Sequence, residues 1–121
     1  MKENILRKKS FDFAVRIVNL FKYLKDDKKE FILSKQILRS GTSVGAMVRE
    51  SEHTQSKADF INKLSIAQKE INETIYWLEL MIETNYIDRA QFESLNSDAL
   101  ELIRLITSSL KTAKQSLTIN H

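Results

Sequence analysis

The 121-residue chain carries a net charge of only +3 and 42% hydrophobic residues, so we expect one compact domain, and charge alone does not indicate a nucleic-acid partner. It contains no cysteine, which excludes disulfides, thiolate nucleophiles and cysteine-ligated metals. It has neither an apolar signal segment nor a run near the ~20 apolar residues that span a membrane, so we expect a cytoplasmic location.

Helical spacing dominates the chain, because it contains no proline and only two glycines, and apolar residues recur every three or four positions in four segments. This pattern predicts an all-α fold, an antiparallel up-down four-helix bundle that occupies residues 1–121 as one domain. The predicted helices cover about 10–25, 34–51, 57–84 and 89–117.

The first predicted helix begins after Ser10, which we assign as its N-cap, and carries two adjacent apolar faces. One face consists of Phe11, Ala14, Val15, Val18 and Phe21. The other face consists of Phe13, Ile17, Leu20 and Leu24. A charged run over residues 25–30 then interrupts the periodicity and predicts a connection.

The second predicted helix, capped by Ser34, contains the two glycines of the chain, Gly41 and Gly45, about one turn apart. Glycine inside a helix costs about 1 kcal/mol relative to alanine, so this placement predicts a compensating close contact. We expect a neighbouring helix or another subunit to press against a shallow groove, which Ser40 and Ala46 extend.

Turn and cap signals place the last two helices. Ser56, with Asp59 three positions later, predicts a capping box at the start of the third helix. Asn85 predicts a left-handed residue at the end of that helix, and Asp88 predicts the N-cap of the fourth.

Two carboxylates of the third helix, Glu70 and Glu73, share one face. Such a pair can perform acid–base chemistry or hold a divalent ion, but we favour an ion pair with Arg39 across the bundle. The predicted packing residues are therefore Arg39, Gly41, Gly45, Glu70 and Glu73.

The most distinctive motif spans the second helix and the start of the third. It reads Gln36-x-x-Arg39-Ser40-Gly41-Thr42-Ser43-Val44-Gly45-Ala46, followed by Glu50 and by Ser56-Lys57-x-Asp59-Phe60. Further matching positions are Ala67, Glu70, Glu73, Trp77-Leu78 and Asn85-Tyr86-Ile87. Over nearly the whole chain, this pattern resembles the four-helix-bundle proteins encoded in intervening sequences of bacterial 23S ribosomal RNA genes.

The resemblance implies a homopentamer of four-helix bundles. This arrangement is found in related accessory proteins of diversity-generating retroelements, which partner a reverse transcriptase and bind nucleic acid. The resemblance implies no enzymatic activity, and the ribosomal-protein label attached to some relatives reflects gene location more than ribosome association.

Residues that could support catalysis are sparse. His53 lies in a polar connection and His121 is the last residue. Only Glu50-x-x-His53 has the spacing of a di-iron carboxylate pair, and it has no second copy. The two glycines also lack the Gly-Lys-Ser/Thr sequence that completes a phosphate-binding loop. We therefore expect no enzyme, no metal site and no other cofactor.

The up-down order brings the start of the first helix, the end of the second, the start of the third and the end of the fourth to one end of the bundle. Nine basic residues fall there against four acidic ones, a net charge of +5. We predict nucleic-acid binding by Arg7, Lys8, Lys9, Arg49, Lys57, Lys111 and Lys114. Repeated around a pentamer, such ends would form a cationic ring that holds phosphates through counterion release.

The predicted function is therefore a non-enzymatic oligomeric adaptor for RNA or DNA, and two other functions stay open. One is a structural or protein-interaction module that docks a partner through aromatic side chains such as Phe13, Trp77 and Tyr86. The other is an enzyme that uses Glu50 and the two carboxylates of the third helix. An ordinary solvated lysine-rich surface would explain the basic end equally well.

Overall fold

The computed structural model describes residues 2–119, with side chains described over 5–117, and this part of the chain contains four helices and no strand. The helices are α1 (Lys2–Asp26), α2 (Leu33–Ser51), α3 (Lys57–Glu83) and α4 (Arg89–Ile119). Connections of five or six residues join them, so successive helices run antiparallel and the predicted all-α bundle is confirmed. His121 lies outside the described residues.

The prediction that Ser10 caps the first helix is wrong. Ser10 lies inside α1 and is only 1% exposed, with its hydroxyl donating to the Arg7 carbonyl oxygen at 3.1 Å. The core-facing stripe of α1 extends one turn further back to Leu6, which is 4% exposed. Burial of Leu6 stabilises the additional turns, and the charged residues between the two positions lie on the outer face.

The prediction that Ser34 caps the second helix is also wrong. The N-cap position of α2 is Ile32, whose side chain makes no capping hydrogen bond, and the cap comes from Glu30. The Glu30 carboxylate is turned inward and accepts a hydrogen bond from the Ser34 backbone N–H at 2.7 Å. Lys29, in the left-handed region at φ 55°, reverses the chain direction just before it. A negative charge at this helix end also complements the helix dipole.

The signals assigned to the last two helices are confirmed. Ser56 is the N-cap of α3, and its hydroxyl accepts a hydrogen bond from the Asp59 N–H at 3.0 Å, which is one of the two hydrogen bonds of the predicted capping box. Asn85 adopts the left-handed conformation, with φ 66°. Asp88 and Gln91 each accept a hydrogen bond from the other's backbone N–H at 2.8 Å, which forms a reciprocal capping box.

One hydrophobic core runs along the bundle and receives side chains from all four helices. Of the two apolar faces of α1, the core receives the one that contains Phe13 and Ile17, which are 1% and 0% exposed. Phe11 and Val15, on the other face, are 53% and 45% exposed. Helix α1 packs closely on α2 and contacts α4 least, so the bundle is less tightly joined between its first and last helices.

Candidate functional site

The two glycines of α2 lie against α1. A Cβ atom on Gly41 would lie 2.7 Å from a side-chain carbon of Ile17, and a Cβ atom on Gly45 would lie 3.2 Å from the Ser10 carbonyl oxygen. The helix that approaches the groove is therefore a neighbour in the same chain. Ala46 continues the groove as an exposed residue, but Ser40 faces α3 instead, so the predicted extent of the groove is wrong on that side.

A cluster of charged and polar side chains links α2 to α3. The Arg39 guanidinium donates to Glu70 Oε2 at 2.7 Å through Nη1 and to Glu73 Oε2 through Nη2. The Trp77 indole N–H donates to the same Glu73 oxygen at 3.2 Å. The side chains predicted to pair across the bundle are thus in contact, and Trp77 joins them.

Electrostatics keeps Arg39 and Glu73 charged. Hydrogen bonds to Glu73 and Glu70 raise the pKa of Arg39 above its ordinary value. Burial is the largest single influence on the pKa of Glu73, and it raises that pKa. Hydrogen bonds from Trp77 and Arg39 and the positive charge of Arg39 act in the opposite direction and together outweigh burial, so the pKa of Glu73 lies below its usual value. A carboxylate held in this state is suited to an ion pair and unsuited to donating a proton near neutral pH.

Beside this cluster lies a buried hydroxyl pair that sequence reasoning missed. The Thr74 Oγ1 atom is 2.8 Å from Ser40 Oγ and 2.8 Å from the Glu70 carbonyl oxygen, and both hydroxyl-bearing residues are fully buried. The sequence does contain one signal for this contact. Ser40 directly follows Arg39 and Thr74 directly follows Glu73, so a predicted contact between Arg39 and Glu73 also brings the two hydroxyl groups near each other.

Three of the predicted nucleic-acid-binding residues surround one surface cavity between α1 and α2. Arg7, Lys8 and Arg49 line this cavity of about 400 Å³ together with Phe11 and Asp12. The guanidinium carbon of Arg49 lies 5.5 Å from the centroid of the Phe11 ring, within the range of a cation–π contact. We call Arg7, Lys8, Phe11 and Arg49 the Phe11 cluster.

Acidic side chains neutralise part of the basic end. Arg7 Nε lies 3.6 Å from Glu52 Oε1, and Lys8 Nζ lies 2.8 Å from Asp12 Oδ2. These pairs are solvent-exposed, so each contributes little to stability and exchanges readily with other anions.

Lys9 and Lys63 each form an ion pair with an acidic side chain on another helix. Lys9 Nζ on α1 lies 3.3 Å from Glu101 Oε1 on α4, and Lys63 Nζ on α3 lies 3.1 Å from Glu50 Oε1 on α2.

The remaining predicted basic residues lie where α3 begins and α4 ends. Lys57 Nζ donates to Ser116 Oγ at 3.3 Å, which joins these two helix ends as the up-down order requires. Lys111 and Lys114 are exposed on α4. Lys2 is one of the nine basic residues that the sequence places at this end, and its side chain lies outside the described residues.

The exposed aromatic side chains differ from the predicted ones. Phe13 is 1% exposed and belongs to the core, so its assignment to a docking surface is wrong. Trp77 and Tyr86 are partly buried against the core. The large aromatic side chains classed as exposed in the described part of the chain are Phe11, Phe31 and Tyr76.

Metal-binding groups do not cluster in the described part of the chain. No set of three or more His, Asp or Glu side chains there is arranged to hold a metal ion. His53 is exposed. Among the same residues, no helix has the length and apolar character needed to cross a membrane.

These observations define the chain as a four-helix-bundle protein with a polar link between its middle helices and a basic cavity on one side. It belongs to the 23S rRNA-intervening sequence protein family, whose sequence pattern matches residues 2–108. It is similar to a protein of unknown function from the S23 ribosomal protein family of Bacteroides thetaiotaomicron, known from a crystal structure. The two share 61% identity and a TM-score of 0.91, over 92% of this chain and 99% of that chain. A comparison with curated proteins gives no match.

Proposed function

We propose that this chain is a non-enzymatic, oligomeric adaptor that binds RNA or DNA through phosphate contacts from the basic end of the bundle. The convergence of Arg7, Lys8 and Arg49 from two helices on one cavity carries this proposal. Arginine presents several donors in a planar fork that matches phosphate oxygens, and lysine adds a point charge. Contacts of this kind bind the backbone without reading the sequence.

The ion pairs at the basic end are compatible with this role. The Lys8–Asp12 pair is exposed on both sides, and Arg7 contacts Glu52 only at 3.6 Å. A phosphate can therefore replace either carboxylate without leaving a buried charge unpaired. Binding of this kind releases counterions, so its affinity should fall steeply as salt concentration rises.

Assembly completes the proposal. The family resemblance supports a homopentamer, in which several basic ends engage one nucleic acid and raise the avidity of individually weak contacts. The composition supports a cytoplasmic location for this assembly. A reverse transcriptase is the protein partner that the same resemblance supports.

The mass of the purified protein, measured by light scattering with and without a mixed RNA and DNA pool at low and moderate salt, tests this proposal. We expect a pentamer that takes up nucleic acid at low salt and releases it at moderate salt, with an ultraviolet absorbance ratio that reports co-purified nucleic acid. A monomer, or an oligomer indifferent to nucleic acid at both salt concentrations, would contradict the adaptor role.

A protein-interaction module is the second candidate, and exposed apolar residues in the connection between α1 and α2 favour it. Phe31 and Ile32 are 50% and 75% exposed, at the end of the bundle opposite the basic one. Polar substitution of both residues should abolish capture of a purified partner while leaving nucleic-acid binding unchanged. Loss of nucleic-acid binding in the same variant would instead assign this connection to the adaptor role.

A further inference from the structure

An exposed aromatic ring lies among the cations of the basic cavity. Phe11 is 53% exposed although it is a large apolar residue, and Arg49 holds its guanidinium 5.5 Å from the ring centroid. Arg7 and Lys8 line the same cavity of about 400 Å³. Phosphate binding alone requires the three cations and gives no reason for an exposed phenyl ring between them.

A second cavity adjoins the first and extends it along the groove between α1 and α2. It measures about 260 Å³ and shares Arg7, Phe11 and Arg49 with the first cavity. The other side chains that line it are small: Ala14, Thr42, Gly45 and Ala46. Because these residues are short, the groove beside the Phe11 ring stays open.

We infer that the Phe11 cluster holds an unpaired base of a single-stranded nucleic acid, stacked against the Phe11 ring, with the flanking phosphates on Arg7, Lys8 and Arg49. This inference rests on the proposed function and names its ligand class. A base in a single strand exposes its flat face to an aromatic ring, whereas a base in a duplex is covered by its neighbours. Any base can stack in this way, so the site selects single strands without selecting a sequence.

Charge favours a nucleic acid over a second copy of this chain as the occupant. The first cavity is lined by three cations and one carboxylate, Asp12, and the second by two arginines without an acidic residue. Arg7 has a partner in Glu52, but Arg49 makes no described ion pair, so an apolar helix face placed over the groove would remove the Arg49 guanidinium from water without a compensating anion. Phosphates flanking a stacked base supply that anion.

Fluorescence anisotropy with a short labelled oligothymidylate, and with the same strand annealed to its complement, tests the inference. Phe11→Ala should weaken binding of the single strand about fivefold or more, which corresponds to the lower figure of ~1 kcal/mol for base–aromatic stacking. Binding of the duplex should stay unchanged, because the phosphate-binding residues remain. Phe11→Leu, which keeps an apolar side chain on the helix, should show the same selective loss.

Phe31→Ala is the matched control, because Phe31 is a similarly exposed phenylalanine at the opposite end of the bundle. It should bind both probes as the unmodified protein does. Photo-crosslinking with an oligonucleotide that contains 5-iodouracil, followed by peptide mapping, should place the attachment site at Phe11 or beside it.

The possible outcomes separate the inference from the function on which it rests. Unmodified protein that binds neither probe would overturn both. If the unmodified protein binds both probes and the two Phe11 variants bind each probe with the same affinity as the unmodified protein, only the stacking site is overturned. A lower oligomer mass for Phe11→Ala and Phe11→Leu in light scattering would identify Phe11 as a subunit contact and overturn the base-stacking assignment.

Discussion

Glu73 is a carboxylate whose charge is coupled to folding. Its pKa is lowered in the folded protein, so near pH 4 the unfolded chain binds more protons than the folded one. The resulting stabilisation is complete above the ordinary glutamate pKa of about 4.3 and is lost as the pH falls through the lower folded-state pKa. Acid should therefore weaken the link between α2 and α3.

Replacing Glu73 with glutamine should remove this part of the acid sensitivity. We expect Glu73→Gln to lower the free energy of unfolding at pH 7 by about 0.5–1.5 kcal/mol, the net value of a typical hydrogen bond, because Arg39 is half exposed and glutamine keeps one acceptor oxygen. The difference from the unmodified protein should shrink as the pH is lowered towards 3. Urea unfolding over this pH range measures the effect, with Glu79→Gln as an exposed control on the same helix. An equal acid response in the unmodified protein and Glu73→Gln would contradict the prediction.

Of the two glycines, Gly41 has less room for a side chain. A Cβ atom there would lie 2.7 Å from a side-chain carbon of Ile17, which is fully buried and has little room to move. Gly41→Leu should unfold the bundle or alter its assembly. Gly41→Ala should be destabilised by about 1–3 kcal/mol of overpacking, reduced by the ~1 kcal/mol that alanine gains in helix propensity.

A double-mutant cycle isolates this contact. In an Ile17→Ala background the two nearest side-chain carbons are absent and only the Cβ atom, at 3.2 Å, remains, so most of the overpacking cost of Gly41→Ala should disappear. Denaturant unfolding of the two single variants and the double variant measures the coupling. Additive effects would show that Ile17 does not limit residue 41. Gly45→Ala offers a milder comparison, since its Cβ would lie 3.2 Å from the nearest atom outside its own helix.

The charged link across α2 and α3 was predictable from residue spacing, because Glu70 and Glu73 occupy one helix face and Arg39 belongs to the same motif. The acidic partners of the basic residues at the basic end were not all predictable. Lys9 pairs with Glu101, an acid 92 positions away that sequence reasoning did not assign to that end. Pairs of this kind depend on the rotation of each helix about its axis, which composition and periodicity leave undetermined.

At the scale of whole elements, α2 depends on an unusual cap. Glu30 is 8% exposed, and its carboxylate accepts hydrogen bonds from the backbone N–H groups of Ser34 and Ile32. Glu30→Ala should leave these donors without a partner and lower stability by about 0.5–2 kcal/mol, the usual cost of removing a helix cap. Thermal unfolding followed by circular dichroism measures this loss. Asp27→Ala, an exposed substitution in the same connection, should change the melting temperature little.

The helix ends differ in how far they could be predicted, and the difference is physical. Ser56 and Asp88 cap the residues three positions after them, so their signals are contained in a few consecutive letters. The Glu30 cap depends on the left-handed turn at Lys29 and on burial of the carboxylate, and residue preferences for helix caps predict neither of these features. The start of α1 was misplaced because Ser10 resembles a cap although its side chain is buried inside the helix.

For the whole molecule, salt dependence gives the clearest test of the phosphate contacts. Arg7→Gln/Arg49→Gln should weaken binding to single strands and duplexes, and should reduce the slope of log affinity against log salt by about 2 per subunit engaged. Titration at several salt concentrations measures this slope. Lys22→Gln/Lys35→Gln removes the same charge from the same two helices at exposed positions towards the opposite end, and should leave the slope unchanged. Equal effects of both pairs would mean that only net charge matters.

The loose contact between α1 and α4 gives the bundle a preferred route of opening. Three of its four lateral interfaces are extensive, whereas the fourth depends on a few contacts such as the exposed Arg16–Asp98 pair at 2.7 Å. Local opening is favoured where contact density is low, so the bundle should open first between α1 and α4. In hydrogen–deuterium exchange, the amides along this seam should exchange before those between α2 and α3. The most persistent unit of the fold is then the helical hairpin in the middle of the chain.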